Sequence, residues 1–451
     1  MILIIVVKGE LIVDDFLLMY DITRLSQNPG EMVGDFTYTK KDKRILRKLA
    51  EQKAEIAILP IHKKKIEMWK NLNDLREVRP MVWINEIPWH EMNINDELTL
   101  RTSTEFTRML ELKLKKTLYR WKHIRTDMII KPVMPCYLEV KNTGFGISEL
   151  VKIARTEKDS DVCSRDFTPQ IDKEEDIEKI KTPKVTYCRD ATEEKFQTMK
   201  SIFDGILEVK KMGYPGFWFA PWDELIRWWD VQKLLTDLVL RPELVRKAID
   251  RLTKAYLCQL DQYEELNLLS LNNGNYRIGS GGLGYTDELP QNDFDPNHVN
   301  AKDLWGNSAA QIFSAVSPEM HKEFALQYEI RWMKRFGLNY YGCCEPLDKK
   351  IEILRGIPNL RKISMSPWVD LELGAANIGR DYVFSYKPSP AIFAEDNWDP
   401  ELVQRNLIRD LEKIKNCNVE IIMKDISTVK YKPHHLWEWA KIASEVVEKF
   451  W

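Results

Sequence analysis

The stretch Asn339-Tyr340-Tyr341-Gly342-Cys343-Cys344-Glu345-Pro346 decides how the chain is read. Its first half is a short apolar run of β-formers, and it ends in two thiols and a carboxylate before a proline. It reads as a buried strand whose last residues face a pocket. Before it, Ser317-Pro318-Glu319 supplies an N-cap with proline at the first helical position, and Met320, Phe324, Tyr328, Trp332 and Phe336 recur at nearly helical spacing. After it, Leu347 to Gly356 has the spacing of another short helix. Helix, buried strand, helix is the rhythm of an α/β protein, in which chemistry gathers where strands end.

Working outward, the same rhythm recurs. Strands are expected at Met81–Ile84, Met128–Ile130, Ile206–Met212 with Phe217–Phe219, Leu268–Leu271, Tyr340–Cys343, Arg361–Ser364, Tyr382–Ser385 and Glu420–Met423. Helical patterns separate them: Phe106 to Trp121 behind a Thr102/Glu105 capping box, Trp222 to Leu266, Leu371 to Ile378, Asp399-Pro400 on to Lys415, and Pro433 to Phe450. Strands each followed by a helix suggest a (β/α)8 TIM barrel carrying an N-terminal helical extension and insertions, although an open doubly wound sheet gives much the same pattern. Residues 1–78 read as the mainly helical extension, broken at Pro60, with 79–451 as the barrel. The charged, weakly patterned residues 140–200 read as an insertion, and 273–290 as a glycine-rich loop that approaches a ligand closely or crosses the surface.

Composition excludes several classes of function. The 451 residues are 44% hydrophobic, enough for a large core, and the 67 basic and 69 acidic residues give a net charge of −2. No nucleic-acid footprint or polybasic membrane surface follows from that balance. Lys8, Glu10, Asp14 and Asp15 interrupt the apolar opening Met1–Val7 well short of a spanning helix, and no small-residue cleavage site follows it. Seven cysteines scattered over the chain do not look like a disulfide framework. The expectation is a soluble, cytoplasmic protein acting on a small molecule.

Several segments resemble the uroporphyrinogen decarboxylase (URO-D) superfamily, which includes cobalamin-dependent methyltransferases. Gly216-Phe217-Trp218-Phe219-Ala220-Pro221-Trp222 resembles the family's turn after the third strand. Ser317-Pro318 with Phe324 resembles its serine-proline helix start, and Ile363-Ser364-Met365-Ser366 through Val369-Asp370-Leu371 a further segment. The likeness runs diffusely over residues 80–451 and implies a TIM barrel with its site at the C-terminal mouth. The departures are specific. The family's decarboxylases bind substrate carboxylates with an arginine-rich loop after the first strand, where this chain has Asn85-Glu86-Ile87-Pro88-Trp89-His90-Glu91, and Lys131-Pro132 stands where their catalytic aspartate follows the second strand. The methyltransferase branch holds zinc with a histidine and two cysteines; here Tyr341 falls in the histidine place, Cys343 in the first cysteine's and Lys424 in the last.

The candidate residues follow from strand ends and from that resemblance. Cys343, Cys344 and Glu345 are the candidate zinc ligands, since a thiolate or a metal-bound group stays nucleophilic near neutral pH. Side-chain alternation puts Cys343 on one face with Tyr341 and Glu345. Glu86, His90, Lys424 and Asp425 are candidates for catalysis, and Asn85, Lys131, Trp218, Asn272, Asn273, Tyr341 and Lys387 for contact with substrate. Lysines at three strand ends favour an acidic ligand. His298, His321, His434 and His435 read as surface residues. The leading expectation is an enzyme that moves a methyl group between a small, acidic methylated compound and a separate corrinoid protein carrying the cobalamin. A URO-D-like lyase acting on a tetrapyrrole or polycarboxylate, and a non-catalytic tetrapyrrole- or corrinoid-binding barrel, are the alternatives.

Overall fold

The computed structural model describes residues 6–7, 34–154 and 162–450. Apart from Val6 and Val7, the apolar opening stretch lies outside them. The strands that position the site are β1 Met81–Ile84, β2 Val133–Tyr137, β3 Glu208–Met212, β4 Trp305–Ser308, β5 Leu338–Tyr341, β6 Leu360–Met365, β7 Val383–Tyr386 and β8 Asn418–Met423. Six of them form one parallel sheet in the order β1-β8-β7-β6-β5-β4. β2 and β3 pair in parallel as a separate two-stranded ladder. The protein is therefore α/β. Every residue of β4, β5, β7 and β8 is buried, as expected of a parallel sheet covered on both faces.

The helices are α1 Lys40–Ala57, α2 Ile61–Asn73, α3 Glu105–His123, α4 Pro242–Glu265, α5 Gln327–Met333, α6 Leu371–Ile378, α7 Pro400–Ile414 and α8 His434–Phe450. Local chemistry sets their starts. Asp370 caps α6 by accepting from the backbone N–H groups of Glu372 and Leu373, and Asp399 caps α7 by accepting from Leu402. α3 starts two residues later than its sequence pattern suggests. Thr104 makes the capping box with Thr107, while Thr102 is drawn into the core to donate to Glu111 at 2.8 Å.

Three strand expectations need correction. Met128–Ile130 is buried but makes no ladder; Asp127 N donates to Val82 O beside it, and the strand proper is β2. Phe219 and Leu269 make single parallel bridges, to Ser308 and Tyr214, in place of full strands. The strand neighbouring β5 is instead β4, whose Trp-Gly-Asn-Ser sequence has no apolar run to announce it. Residues 140–200 form antiparallel ladders outside the parallel sheet, Val140–Asn142 with Val185–Tyr187 and Val151–Ala154 with Val162–Phe167, followed by a helix from Arg189.

Two features fill the space between strands and helices. Trp69 of α2 is fully buried and packs with Met81, Ile129, Leu283 and Val383. The glycine-rich loop runs against it: a Cβ at Gly281 would overlap Glu420 and Tyr340, and one at Gly282 would overlap Trp69. These glycines admit the protein's own side chains at close range. Beneath them Lys362 and Glu420, both fully buried, pair at 2.9 Å, and Gly282 N donates to the same carboxylate at 3.2 Å. Such a pair is costly to break, because either partner alone is a buried uncompensated charge. Among the described residues, no helix is long and apolar enough to cross a membrane.

Candidate functional site

At the C-terminal edge of the sheet, the ends of β1, β5 and β8 bring polar groups together. β8 runs into Lys424 and Asp425, β5 into Gly342, Cys343 and Cys344, and β1 into Asn85 and Glu86. The chain turns sharply at each end. Glu86 and Asp425 adopt left-handed backbone, with φ of 51° and 56°, and Gly342 lies at 94°. A non-glycine residue held there costs of order 1 kcal/mol, a strain that clusters at functional sites.

Lys424 is the hub. Its Nζ lies 2.5 Å from Asp425 Oδ2, 3.2 Å from Glu86 Oε2, 3.8 Å from Cys343 Sγ and 3.7 Å from Cys344 Sγ. The two sulfurs are 3.5 Å apart, and Cys344 Sγ is 3.4 Å from Asp425 Oδ2. Glu86 also pairs with Arg277 at 3.2 Å and accepts from Asp425 N at 3.1 Å. Burial by itself would raise the Glu86 carboxyl, but Lys424 and Arg277 outweigh it and hold the group well below the usual carboxylate range. The hydrogen bond to Cys343, reinforced by burial, pushes the Cys344 thiol well up, so Cys344 keeps its proton. Burial opposes the charge on Lys424, yet Asp425, the sulfurs and Glu86 push its pKa well up and keep it an ammonium. Cys343 is 7% exposed and packs with Trp218, Ala220 and Ala309, whereas Cys344 and Glu86 are half-buried and Asp425 is exposed.

The other candidates fall in different places. Tyr341 lies away from this edge: it is sealed, donating to Glu329 Oε2 at 2.8 Å, with His321 Nε2 2.6 Å from its hydroxyl. Strand alternation fails here because Gly342 turns the chain between the two residues, so Tyr341 and Cys343 do not share a face. Lys387 is buried and donates to Tyr340 OH at 2.9 Å and Ser364 Oγ at 2.7 Å; Ser364 in turn donates to Cys343 O at 2.6 Å. Lys387 thus supports the thiol turn from below. Lys131 stands exposed over the Tyr285 ring, so of the three lysines Lys424 is the one at the thiols. Asn272 brackets the backbone N and O of Trp305 at 2.9 Å, and Asn273 donates to Leu289 O at 2.5 Å; both tie the loop to the sheet. His90 sits 3.6 Å from Glu91, and Asn85 Nδ2 is 3.4 Å from Glu86 Oε1. His321 and His435 are buried, correcting the expectation that they lie at the surface.

Zinc does not fit the residues present. Both oxygens of Glu345 are taken by backbone N–H groups, accepting from Cys343 N at 2.9 Å and Ala310 N at 3.3 Å. The cation beside both thiols is the Lys424 ammonium. Among the described residues, no group of three or more His, Cys, Asp or Glu side chains is arranged to hold a metal ion.

Sequence reading missed Arg277, although a lone arginine within a glycine-rich loop was a signal. Arg277 lines a small cleft together with Gly216, Asn272, Tyr276, Trp305 and Asn307. It also missed a sealed polar cluster behind β5. There Lys350 Nζ lies 3.1 Å from His321 Nδ1 and donates to Phe313 O, and Ser308 Oγ donates to Glu329 Oε1 at 2.8 Å. Burial, and then Lys350, lowers the His321 pKa to about 3, so the ring is neutral. Lys350 donates to Nδ1, which leaves Nε2–H to donate to Tyr341, and Tyr341 to donate to Glu329. Burial raises Glu329 to about 7 and Asp223 to about 6, against hydrogen bonds to Glu329 and the Arg227 charge near Asp223.

No protein-family model matches the chain, and no curated protein is similar to it in sequence. A solved structure similar to it in outline is a methyltransferase from Methanosarcina mazei, 10% identical, with 86% of this chain and 98% of that one covered and a TM-score of 0.48.

Proposed function

We propose that this chain is a methyltransferase that moves a methyl group between a small anionic methylated compound and a corrinoid carried by a separate protein. The observation that carries the reading is the convergence of Cys343, Lys424, Glu86 and Arg277 from distant parts of the chain, at the sheet edge where α/β enzymes place their chemistry. The resemblance of residues 80–451 to the URO-D superfamily points to the same place. The reading takes the sheet as the larger part of a (β/α)8 barrel, with 128–130 and 214–219 continuing the ring. The Asp127 N to Val82 O bond and the Phe219–Ser308 bridge support that continuation.

The residues divide the work. Lys424 and Arg277 supply the positive charge that holds an anionic substrate, which exchanges with Glu86 for part of their coordination. Cys343, fixed by Ser364 at its carbonyl and Glu345 at its N–H, contacts the transferred methyl. Asp425, at the exposed rim, gives and takes the leaving group's proton. The corrinoid, when bound, supplies a cobalt centre that accepts or gives a methyl group.

The test is to mix the protein with a corrinoid protein reduced to Co(I) and a panel of methylated carboxylates, amines and thioethers. Conversion to the methyl-Co(III) spectrum is expected with at least one substrate, and it should disappear in Cys343→Ala. No methylation across the panel by well-folded protein would overturn the reading.

A further inference from the structure

Adjacent cysteines that are both directed to one cation invite a second question about this edge of the sheet. Cys343 Sγ and Cys344 Sγ are 3.5 Å apart, and Lys424 Nζ stands 3.8 and 3.7 Å from them. Cys344 is half-buried, within reach of a small reagent, while Cys343 lies just behind it. At rest Cys344 is a thiol, held so by Cys343 and burial; the ammonium stabilises the thiolate once the proton has left, which speeds exchange with a disulfide. Cys344 Sγ donates to Asp425 Oδ2 at 3.4 Å, a ready acceptor for its proton. None of the other described cysteines has a second thiol beside it: Cys136 and Cys417 are buried, Cys188 is half-buried and Cys258 is exposed on α4.

We propose that Cys343 and Cys344 form a reversible modification site that small disulfides close into a vicinal disulfide, switching off the thiol function assigned to Cys343 above. The regulatory consequence rests on that functional reading; the modification itself does not. Cys344 gives its proton to Asp425 and attacks the small disulfide, whose S–S bond breaks. One half leaves as a thiol after taking up a proton, and the other stays on Cys344 as a mixed disulfide. Cys343 then displaces it, and the second half leaves as a thiol. Two protein thiols are oxidised to one S–S bond, and one small disulfide is reduced to two thiols.

The geometry also makes the bond temporary. Adjacent Cα atoms are about 3.8 Å apart across a trans peptide, below the roughly 4.4–6.8 Å span of ordinary disulfides. A bond closed across one peptide is strained, hence easily reduced, which is the behaviour of a switch and not of a structural staple. Closing it also withdraws both sulfurs from Lys424.

The experiment treats the full chain with oxidised glutathione, blocks remaining thiols with N-ethylmaleimide, and reads peptide masses. The peptide spanning Cys343 and Cys344 is expected to lose two hydrogens and take up no maleimide, while Cys258 reacts as an ordinary exposed thiol. Reduced glutathione should restore both thiols. Cys344→Ser should show no two-hydrogen loss, and Lys424→Met should close about tenfold more slowly or worse. Maleimide on both sulfurs after oxidation that has fully modified Cys258, or glutathione left unresolved on Cys344, would overturn the proposal. Because masses are read, the two-hydrogen loss can be seen in a protein that shows no methyl transfer, so failure of the functional reading is told apart from failure of this one.

Discussion

One strand feeds two polar clusters of opposite character. β5 ends at Tyr341, whose hydroxyl belongs to the sealed chain of Lys350, His321 and Glu329; two residues on, Cys343 belongs to the edge cluster of Lys424, Glu86 and Asp425. The sealed cluster is mostly neutral: burial keeps His321 uncharged and lifts Glu329 to about 7. The edge cluster is ionic, with Glu86 and Lys424 each driven further into the charged form. Desolvation acts on both; at the edge, opposite charges within 4 Å win, whereas in the interior no charge close enough answers Glu329. The sealed cluster is therefore expected to govern stability and the edge cluster activity.

The sharpest way to break that division is at Cys343. Cys343→Ala should lower the proposed methyl transfer by about a thousandfold or more, about 4 kcal/mol of chemistry at the sheet edge, while leaving the melting temperature within a few degrees. A variant that keeps its activity would detach the thiol from function. Next is Glu329. Its folded pKa lies near 7 against a reference of 4.5, so the folded state holds a proton that the unfolded chain has released. Its stabilising contribution is whole below about pH 4.5 and is lost as pH rises through about 7, roughly 3 kcal/mol in all. Denaturant titrations of wild type and Glu329→Gln from about pH 4.5 to about pH 8 should show wild type losing about that amount more than the variant. Equal slopes would mean that Glu329 does not titrate in this range.

Lys424→Met should cost about a hundredfold in transfer with any anionic substrate, and less with a neutral one, as separate KM and kcat measurements will show. An equal loss with both would remove substrate charge from its role. The smallest effect is expected from Tyr341→Phe. Removing one hydroxyl that links His321 and Glu329 should lower unfolding free energy by about 1–2 kcal/mol and leave kcat unchanged. A large loss of activity with intact stability would merge the two clusters.

The second half of the fold could be read from the chain because local chemistry and tertiary packing agree there. Apolar β-rich runs became β5 to β8, capped helices followed at α6 and α7 and a further helix, α8, after Pro433, and Pro60 separated α1 from α2. Between residues 128 and 308 they disagree. The apolar Met128–Ile130 stays outside any ladder, and the polar β4 is taken into the sheet, because its backbone is what β5 needs. Edge residues Cys343, Lys424 and Glu86 could be named in advance because strand ends are periodic features. Arg277, His321 and Glu329 could not, since their partners lie 191, 20 and 12 residues away in sequence.

By itself the sequence determined which segments are strands in the second half and that two adjacent thiols stand at the end of β5, although it carried that strand on to Cys343 where the ladder stops at Tyr341. Those are properties of short segments, set by side-chain alternation, apolar runs and capping groups that act within a few residues. Tertiary structure alone decided that Tyr341 is sealed while Cys343 meets Lys424, and that an ammonium stands beside the sulfurs. The reason is that the left-handed turn at Gly342 and the order of strands in the sheet set those distances, and neither is encoded in any local run of residues.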